Sequence, residues 1–245
     1  MSKVSVVLCA HDEAATIRGA IGSVRAQTLD SDQIELIVVD DGSKDGTATI
    51  VERCTLDVGF QTTIICNEEN QGLVRSANRG FHEAKAEYII RLDADDAFAP
   101  SALERLVECA KSYRADLVFS DRYELDLRTN EVEYVPVSHA DLFSMVAAGT
   151  LMLRDRLREI GGYKEVFWEE YDLYLRYMAD NRKSIHIPRP LMVYVQHQSS
   201  MTANEDRVRE GWRELTELWG LDSLKKHGIL PNFVENDDQL NDGNR

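Results

Sequence analysis

Short apolar segments alternate with amphipathic ones along the first half of the chain. Some segments are apolar at consecutive positions, as in Leu36-Ile37-Val38-Val39, which is typical of strands that are buried on both faces of a parallel sheet. Between them, apolar residues recur at helical spacing, as at Ile17, Ile21 and Val24. The pattern predicts an α/β fold with helices on a mostly parallel, Rossmann-like sheet, whose strands lie at residues 4–9, 35–40, 62–66, 88–92 and 116–121.

The second half has a mixed pattern and does not repeat the first. Segments 123–127 and 131–137 are predicted to pair as a hairpin around Arg128-Thr129-Asn130. Helices are predicted near 141–147, 154–160 and 169–178, and strands at 184–187 and 191–196. Because no Pro- or Ser-rich linker separates the halves, we expect one domain over residues 1–230. It has a nucleotide-binding half at about 1–121 and a smaller, mixed acceptor half at about 122–230. Residues 231–245 are acidic with few apolar positions and are predicted to be disordered.

Composition narrows the classes of partner. The 245 residues are 43% hydrophobic and 29% charged, as in soluble globular proteins, and 28 basic against 43 acidic residues give a net charge of −15. That charge argues against nucleic acid as a partner, because binding to phosphate backbones requires clustered Lys and Arg. No apolar run approaches the roughly 20 residues of a membrane span, and no secretion signal is evident at the start. The sequence therefore predicts a cytoplasmic protein without a transmembrane segment, and peripheral membrane contact stays open.

Carboxylates follow three of the predicted strands, at His11-Asp12-Glu13, Asp40-Asp41 and Asp93-Ala94-Asp95-Asp96. In open α/β sheets, ligands bind beyond the carboxyl ends of the strands. Capping of the following helices is an alternative role for single Asp or Ser residues, but it does not account for three neighbouring aspartates. Carboxylates spaced as in Asp93 and Asp95 can hold a hard divalent cation, Mn²⁺ or Mg²⁺, between an acidic protein and a nucleotide diphosphate.

The motifs, taken in order, resemble those of the family 2 glycosyltransferases, which have the GT-A fold. The resemblance runs from Val4 to about Thr202 and rests on Val4–Leu8, Glu35–Thr47, Asn70-Gln71-Gly72 with Arg75 and Asn78, Glu87–Asp96, and Trp168–Arg176. It implies transfer of a sugar from a nucleotide-diphosphate donor, with a UDP-sugar expected, to a saccharide or glycolipid acceptor. It also implies inversion at the anomeric carbon and a role in surface polysaccharide or glycan synthesis.

The resemblance also implies roles for individual residues. It places Cys9, Ala10 and Asp41 at the base and ribose of the donor, Arg75 near the diphosphate, Asp93 at the ribose and Asp95 on the metal. For Cys9 a place in the core is the alternative, and for Arg75 a solvated helix charge. Asp96 is a secondary candidate with helix capping as its alternative, and Glu13 is another secondary candidate.

Glu169 and Glu170 resemble the acidic pair that carries the general base of the family. The base is usually an Asp, and here Glu170 stands in its place, with a longer side chain. Because acidic residues also favour the first turn of a helix, Glu169 has that alternative role. Asp172 and Arg176, four residues apart, are expected to pair along the helix.

His197 resembles a late histidine of the family that lies near the metal and diphosphate. The family's usual Arg two residues after the Tyr is replaced by Gln196, so one basic contact is missing. The main hypothesis is thus a metal-assisted glycosyltransferase. A catalytically weak or inactive sugar-nucleotide-binding protein on the same fold is the alternative. Nucleotidyl transfer is disfavoured because no glycine-rich phosphate loop follows the first strand.

Overall fold

A single sheet organises the protein, as seen in a computed structural model that describes residues 2–56, 59–138, 141–179, 182–197 and 204–229. Its strands are β1 (Val4–Ala10), β2 (Ile34–Asp40), β3 (Gln61–Cys66), β4 (Tyr88–Asp93), β5 (Ala97–Phe98), β6 (Leu117–Asp126), β7 (Glu131–Val135), β8 (Leu151–Leu153) and β9 (Ser184–Gln196). The helices are α1 (Ile17–Arg25), α2 (Thr47–Cys54), α3 (Leu73–Glu83), α4 (Ala102–Tyr113), α5 (Arg154–Glu159), α6 (Glu169–Ala179), α7 (Glu205–Trp219) and α8 (Leu221–Lys226).

The order of the strands places a crossover next to β1. Across the sheet the strands lie in the order β3-β2-β1-β4-β8-β6-β9-β5. The first four strands are parallel to one another, whereas β8 is antiparallel to both of its neighbours, β4 and β6. The connection β1-α1-β2 leaves β1 on one side and β3-α3-β4 returns on the other, so a crevice opens at the carboxyl ends of β1 and β4.

Each face of the sheet has its own hydrophobic core, which explains the continuous apolar runs in the sequence. Side chains alternate along a strand, so Val6 and Leu8 pack with the residues of α1 and α4, while Val7 and Cys9 pack with those of α3 and α6. All seven residues of β1 and all seven of β2 are buried. The first half of the sheet is therefore a rigid base for the loops that follow its strands.

The α/β architecture is confirmed, and the structure corrects several details of the second half. The strands predicted at 116–121 and 123–127 are one continuous strand, β6, whose pairing with β9 has a register irregularity near Asp121. Residues 141–147 are not an α-helix, and only a 3₁₀ turn, Leu142–Ser144, forms there. Helices α7 and α8 were not predicted. The expectation of a disordered tail at 231–245 lies outside the described residues.

Helix length and polarity in the described ranges bear on membrane insertion. None of the helices in those ranges is both long enough and apolar enough to cross a membrane.

Candidate active site

A cleft of about 470 Å³ lies over the carboxyl ends of β1 and β4. Its walls come from the loops after β1, β2 and β4, the first turns of α6 and α7, and the end of β9. Six carboxylates line it, from Glu13, Asp41, Asp93, Asp95, Glu169 and Glu170. The structure therefore brings together most of the predicted site residues, including Cys9, Ala10 and His197.

Asp41 is held in place by hydrogen bonds from three donors. Its Oδ1 accepts from Asn67 Nδ2 at 2.6 Å and from the Gln71 backbone N–H at 3.0 Å, and its Oδ2 accepts from the Gly72 N–H at 2.8 Å. Burial disfavours the ionised form, but these hydrogen bonds outweigh it and hold the pKa of Asp41 below its ordinary value. A carboxylate at this position is thus a fixed negative group beside the cleft.

Gly42 permits the close approach that this arrangement needs. Its φ of +74° is in the left-handed region, and a Cβ there would lie 2.6 Å from the Glu69 carbonyl carbon. The loop after β2 therefore packs directly on the backbone that leads into α3.

Arg91 joins two of the predicted site residues from inside the sheet. Its Nε and Nη2 donate to the two carboxylate oxygens of Asp93 at 2.8 and 2.9 Å, and its Nη1 donates to Glu169 Oε1 at 2.9 Å. The guanidinium also lies over the ring of Tyr163, 5.5 Å from its centroid. Both donor edges of Arg91 are therefore used within the protein.

Glu170 has a different environment from its neighbour. Its side chain is partly exposed to the cleft, and Oε2 is buried without a hydrogen-bond partner in the described part of the chain. Burial, followed by the negative charge of Glu169, raises the pKa of Glu170 from 4.5 to about 8. An unpartnered carboxyl oxygen with a pKa near neutrality has the properties of a general base.

Asp95 and His197 meet in the same cleft. Asp95 Oδ2 and His197 Nε2 are 2.9 Å apart, and both side chains are about one-fifth exposed. Burial and the charge of Asp93 raise the pKa of Asp95. Within the described ranges, no group of three or more His, Cys, Asp or Glu side chains is arranged to hold a metal ion.

The pair formed by Asp95 and His197 fits the way Mg²⁺ and Mn²⁺ bind at diphosphate sites. Such ions use one or two carboxylates from the protein and complete their coordination with substrate phosphates and water. A carboxylate and an imidazole together suit Mn²⁺ better than Mg²⁺, which prefers oxygen ligands. Glu13, whose pKa is raised mainly by burial, lines the same cavity.

Asp96 does not line the cleft and does not cap a helix. It is 1% exposed, and its Oδ1 accepts a hydrogen bond from the Val195 backbone N–H at 2.9 Å. Helix α4 begins after Ser101, with no side chain capping it. The helix-capping alternative for Asp96 is therefore wrong, and the residue links the loop after β4 to β9.

Cys9 and Ala10 lie at the end of β1 and line the cleft. The Cys9 thiol is 8% exposed, and burial raises its pKa to about 12. The core alternative for Cys9 is therefore confirmed, and the residue also borders the cavity.

Arg75 is not among the residues that line the cleft. Its Nε donates to Glu165 Oε1 at 2.6 Å in an exposed pair, with both side chains 62% exposed. Two other arginines line the cleft, Arg91 from β4 and Arg207 from the first turn of α7.

A second cavity, of about 870 Å³, opens beside the cleft. It lies between the start of α3, the segment before α6 and one face of α7, and Glu169 and Arg207 line both cavities.

Sequence reasoning missed Arg91, Arg207, His11 and Trp168 as residues of the cleft. For Arg91 a signal exists, because an arginine two residues before Asp93 in a buried strand must share a face with it. His11 Nδ1 lies 2.8 Å from the Asp41 carbonyl oxygen, a contact between loops that the sequence does not show. The expected pairing of Asp172 with Arg176 is confirmed, at 2.8 Å.

Residues 5–171 match the model of glycosyl transferase family 2. A cholesterol galactosyltransferase of Borreliella burgdorferi is 37% identical over 128 residues, which cover 52% of this chain and 35% of that protein. The poly(ribitol-phosphate) beta-N-acetylglucosaminyltransferase TarP of Staphylococcus aureus is 34% identical over 120 residues, 48% of this chain and 36% of that protein. The matched segments span about a third of the length of these relatives.

Solved structures show the shared fold. Staphylococcus aureus TarS 1–349 in complex with UDP-GlcNAc superposes with a TM-score of 0.72 at 16% identity, covering 87% of this chain and 66% of that one. The mannosyltransferase PcManGT of Pyrobaculum calidifontis, in complex with GDP-Man and Mn²⁺, has a TM-score of 0.69 at 17% identity, covering 88% and 64% of the two chains.

Proposed function

The chain belongs to glycosyl transferase family 2 and has the GT-A fold, and we propose that it transfers a sugar from a nucleotide diphosphate to an acceptor hydroxyl with inversion. The observation that carries the proposal is Glu170 Oε2, a buried oxygen at the cleft that has no hydrogen-bond partner within the ranges the structure describes. Its neighbours Asp93 and Glu169 are both occupied by Arg91. Of these three carboxylates, Glu170 is the one that is available to accept a proton.

Glu170 has the role of general base in this reaction. As the acceptor oxygen forms its bond to the anomeric carbon, its proton moves to Glu170 Oε2. The bond from the anomeric carbon to the β-phosphate oxygen breaks, and the nucleoside diphosphate leaves with the electron pair. Attack from the side opposite to the leaving group inverts the configuration at that carbon.

The fixed groups around Glu170 have positioning roles. The single positive charge of Arg91 offsets one of the two negative charges of Asp93 and Glu169, which lowers the repulsion that a further anionic group would meet in the cleft. The base and ribose of the donor are proposed to contact Asp41 and the C-terminal end of β1, at Cys9 and Ala10. The ribose is also proposed to contact Asp93.

UDP-sugars are the first donors to test. TarS was solved with UDP-GlcNAc and with UDP, while PcManGT was solved with GDP-Man, so both nucleotides occur on this fold. The acceptor is proposed to be a saccharide or glycolipid in surface glycan synthesis, in line with the names of TarP and the cholesterol galactosyltransferase. Four cysteines without disulfide bonds suit the reducing cytoplasm, where we propose that it acts.

Asp95 and His197 are the residues proposed to hold Mn²⁺ or Mg²⁺, with Glu13 nearby. When bound, the ion would stabilise the charge that develops on the departing diphosphate.

Donor hydrolysis tests the proposal without knowledge of the acceptor, because water can replace the acceptor hydroxyl. Release of free nucleoside diphosphate from a panel of UDP- and GDP-sugars is measured with Mn²⁺ and with a chelator. We expect Mn²⁺-dependent release, reduced roughly 10²- to 10⁴-fold by Glu170→Gln. Glu165→Gln is the matched control, since Glu165 is exposed and does not line the cleft.

Two outcomes would contradict the proposal. If the wild type binds a nucleotide sugar yet releases none of the diphosphate, also in the presence of saccharide acceptors, the chain is the inactive binding protein considered from its sequence. If Glu170→Gln releases diphosphate at the rate of Glu165→Gln, Glu170 is not the base.

A further inference from the structure

The charges of the cleft pose a problem for an anionic donor. Six carboxylates line it, and a nucleotide diphosphate adds further negative charge to the same space. One divalent cation on Asp95 and His197 offsets only part of that charge. A cation of the protein with free hydrogen-bonding capacity would complete the balance.

The cations near the cleft differ in whether they are free. Arg91 uses both donor edges on Asp93 and Glu169, and Arg75 is paired with Glu165 outside the cleft. Arg207 lines the cleft, and its guanidinium has no hydrogen bond or ion pair with any residue of the described ranges.

The position of Arg207 suits a ligand that enters from solvent. It lies in the first turn of α7, is exposed, and lines both the cleft and the adjoining cavity. Without a ligand, the charged guanidinium therefore stays in contact with water. With a ligand bound, the long side chain can reach a group at the mouth of the cleft.

We infer that Arg207 binds the diphosphate of the donor and is the second cation of the site, beside the divalent ion. The inference rests on the proposed function. A guanidinium suits this task because its planar donors match two phosphate oxygens at once. It would supply the basic contact that is missing at Gln196, from a different element of the fold.

The same contact has a consequence for the reaction. Negative charge on the β-phosphate grows as the bond to the anomeric carbon breaks, so a guanidinium there is worth more in the transition state than in the bound donor. Arg207→Ala should therefore lower kcat for donor hydrolysis as well as raise KM.

Calorimetric titration of the full chain tests the assignment with Mn²⁺ present. The probes are inorganic pyrophosphate, UDP and GDP, compared with uridine and guanosine. We expect Arg207→Ala to weaken binding of the three diphosphates roughly 10- to 100-fold and to leave nucleoside binding within about two-fold. Arg207→Lys should be intermediate, because it keeps the charge and loses the paired donors.

Arg213→Ala is the matched control, since Arg213 lies on the same helix and lines the adjoining cavity but not the cleft. Its diphosphate affinity should equal that of the wild type. Equal affinity of Arg207→Ala and wild type would overturn this inference alone, and so would an equal loss in Arg213→Ala. If the wild type binds none of the three diphosphates, the proposed function fails and this inference fails with it.

Discussion

Glu169 and Glu170 are adjacent carboxylates with opposite electrostatic situations. Glu169 is 2% exposed and pairs with Arg91, whereas Glu170 keeps a buried oxygen that has no hydrogen-bond partner among the described residues. The first arrangement stabilises the fold, and the second costs stability, as expected of a group whose environment serves a reaction.

The same substitution at these two positions should change stability in opposite directions. Glu170→Gln removes a buried charge that has no partner, so the free energy of unfolding at pH 8 or above should rise by about 1–3 kcal/mol. Glu169→Gln removes one of the two carboxylates that pair with the buried Arg91, so the free energy of unfolding should fall by about 1–3 kcal/mol. Urea unfolding measures both. Changes of the same sign in the two variants would show that the environments are alike.

Activity should depend on pH through Glu170. Its pKa is raised from 4.5 to about 8, so the carboxyl is mostly protonated at pH 7 and becomes a base as the pH rises. We expect kcat/KM for donor hydrolysis to increase with pH and to level off above about 8. The measurement is a pH profile with Mn²⁺ held constant and Glu165→Gln as the control. A plateau that begins near pH 5 would contradict the shifted pKa.

The raised pKa of Glu170 also makes the stability of the fold depend on pH. Between pH 4.5 and about 8 the unfolded chain has lost the proton of Glu170 while the folded chain retains it. This group therefore makes folding less favourable as the pH rises through that window, and its effect should be absent in Glu170→Gln.

Individual residues show where the sequence is sufficient and where it is not. Asp95, Glu170 and His197 were recognised because they belong to motifs with fixed spacing, and the structure places all three at one cleft. Arg207 belongs to no motif, and its position depends on how α7 packs. The capping alternative for Asp96 was wrong because a place shortly before α4 in the sequence does not show which way the side chain turns, and this one accepts from Val195 of β9.

At the scale of elements, the sequence predicts the first half well because its strands are buried on both faces. Strands β1, β2 and β4 were placed within about one residue of their observed ends. In the second half, local pattern and tertiary context disagree. Helix α7 has buried Trp212 and Leu215 among many charged residues, and its packing on distant elements outweighs a weak apolar pattern.

Helix packing in the first half predicts contrasting effects for two glycines. Gly19 lies in α1 with open space around its Cβ position, so Gly19→Ala should stabilise the protein by about 0.5–1 kcal/mol through helix propensity. Gly80 lies in α3, where a Cβ would overlap Val7 Cγ1, so Gly80→Ala should destabilise the protein by about 1–3 kcal/mol. Thermal unfolding compares the two variants. A gain of stability in Gly80→Ala would mean that α3 packs less closely on β1.

At the scale of the whole molecule, the net charge of −15 and the acidic cleft act together. Both disfavour a free anionic nucleotide and favour a divalent cation. Binding of the two should therefore be coupled, and by linkage each must raise the affinity for the other by the same factor.

This coupling makes metal removal an informative test. UDP alone and Mn²⁺ alone should each raise the unfolding temperature little, because each lacks its partner in the cleft. Together, with UDP at about 100 times its dissociation constant in the presence of Mn²⁺, they should add about 2.7 kcal/mol to the free energy of unfolding. Addition of a chelator should reverse the effect.

The control for this test is uridine, which lacks the diphosphate and so should bind with the same affinity in the presence and absence of Mn²⁺. The control variant is Asp95→Ala, in which the added stability from UDP with Mn²⁺ should fall to that of UDP alone, because Asp95 is one of the two residues proposed to hold the ion. Thermal-shift measurements over a grid of UDP and Mn²⁺ concentrations give the coupling factor directly. Equal stabilisation by UDP with Mn²⁺ and with chelator would show that the cleft binds the diphosphate through protein cations alone, and the metal role of Asp95 would then be wrong.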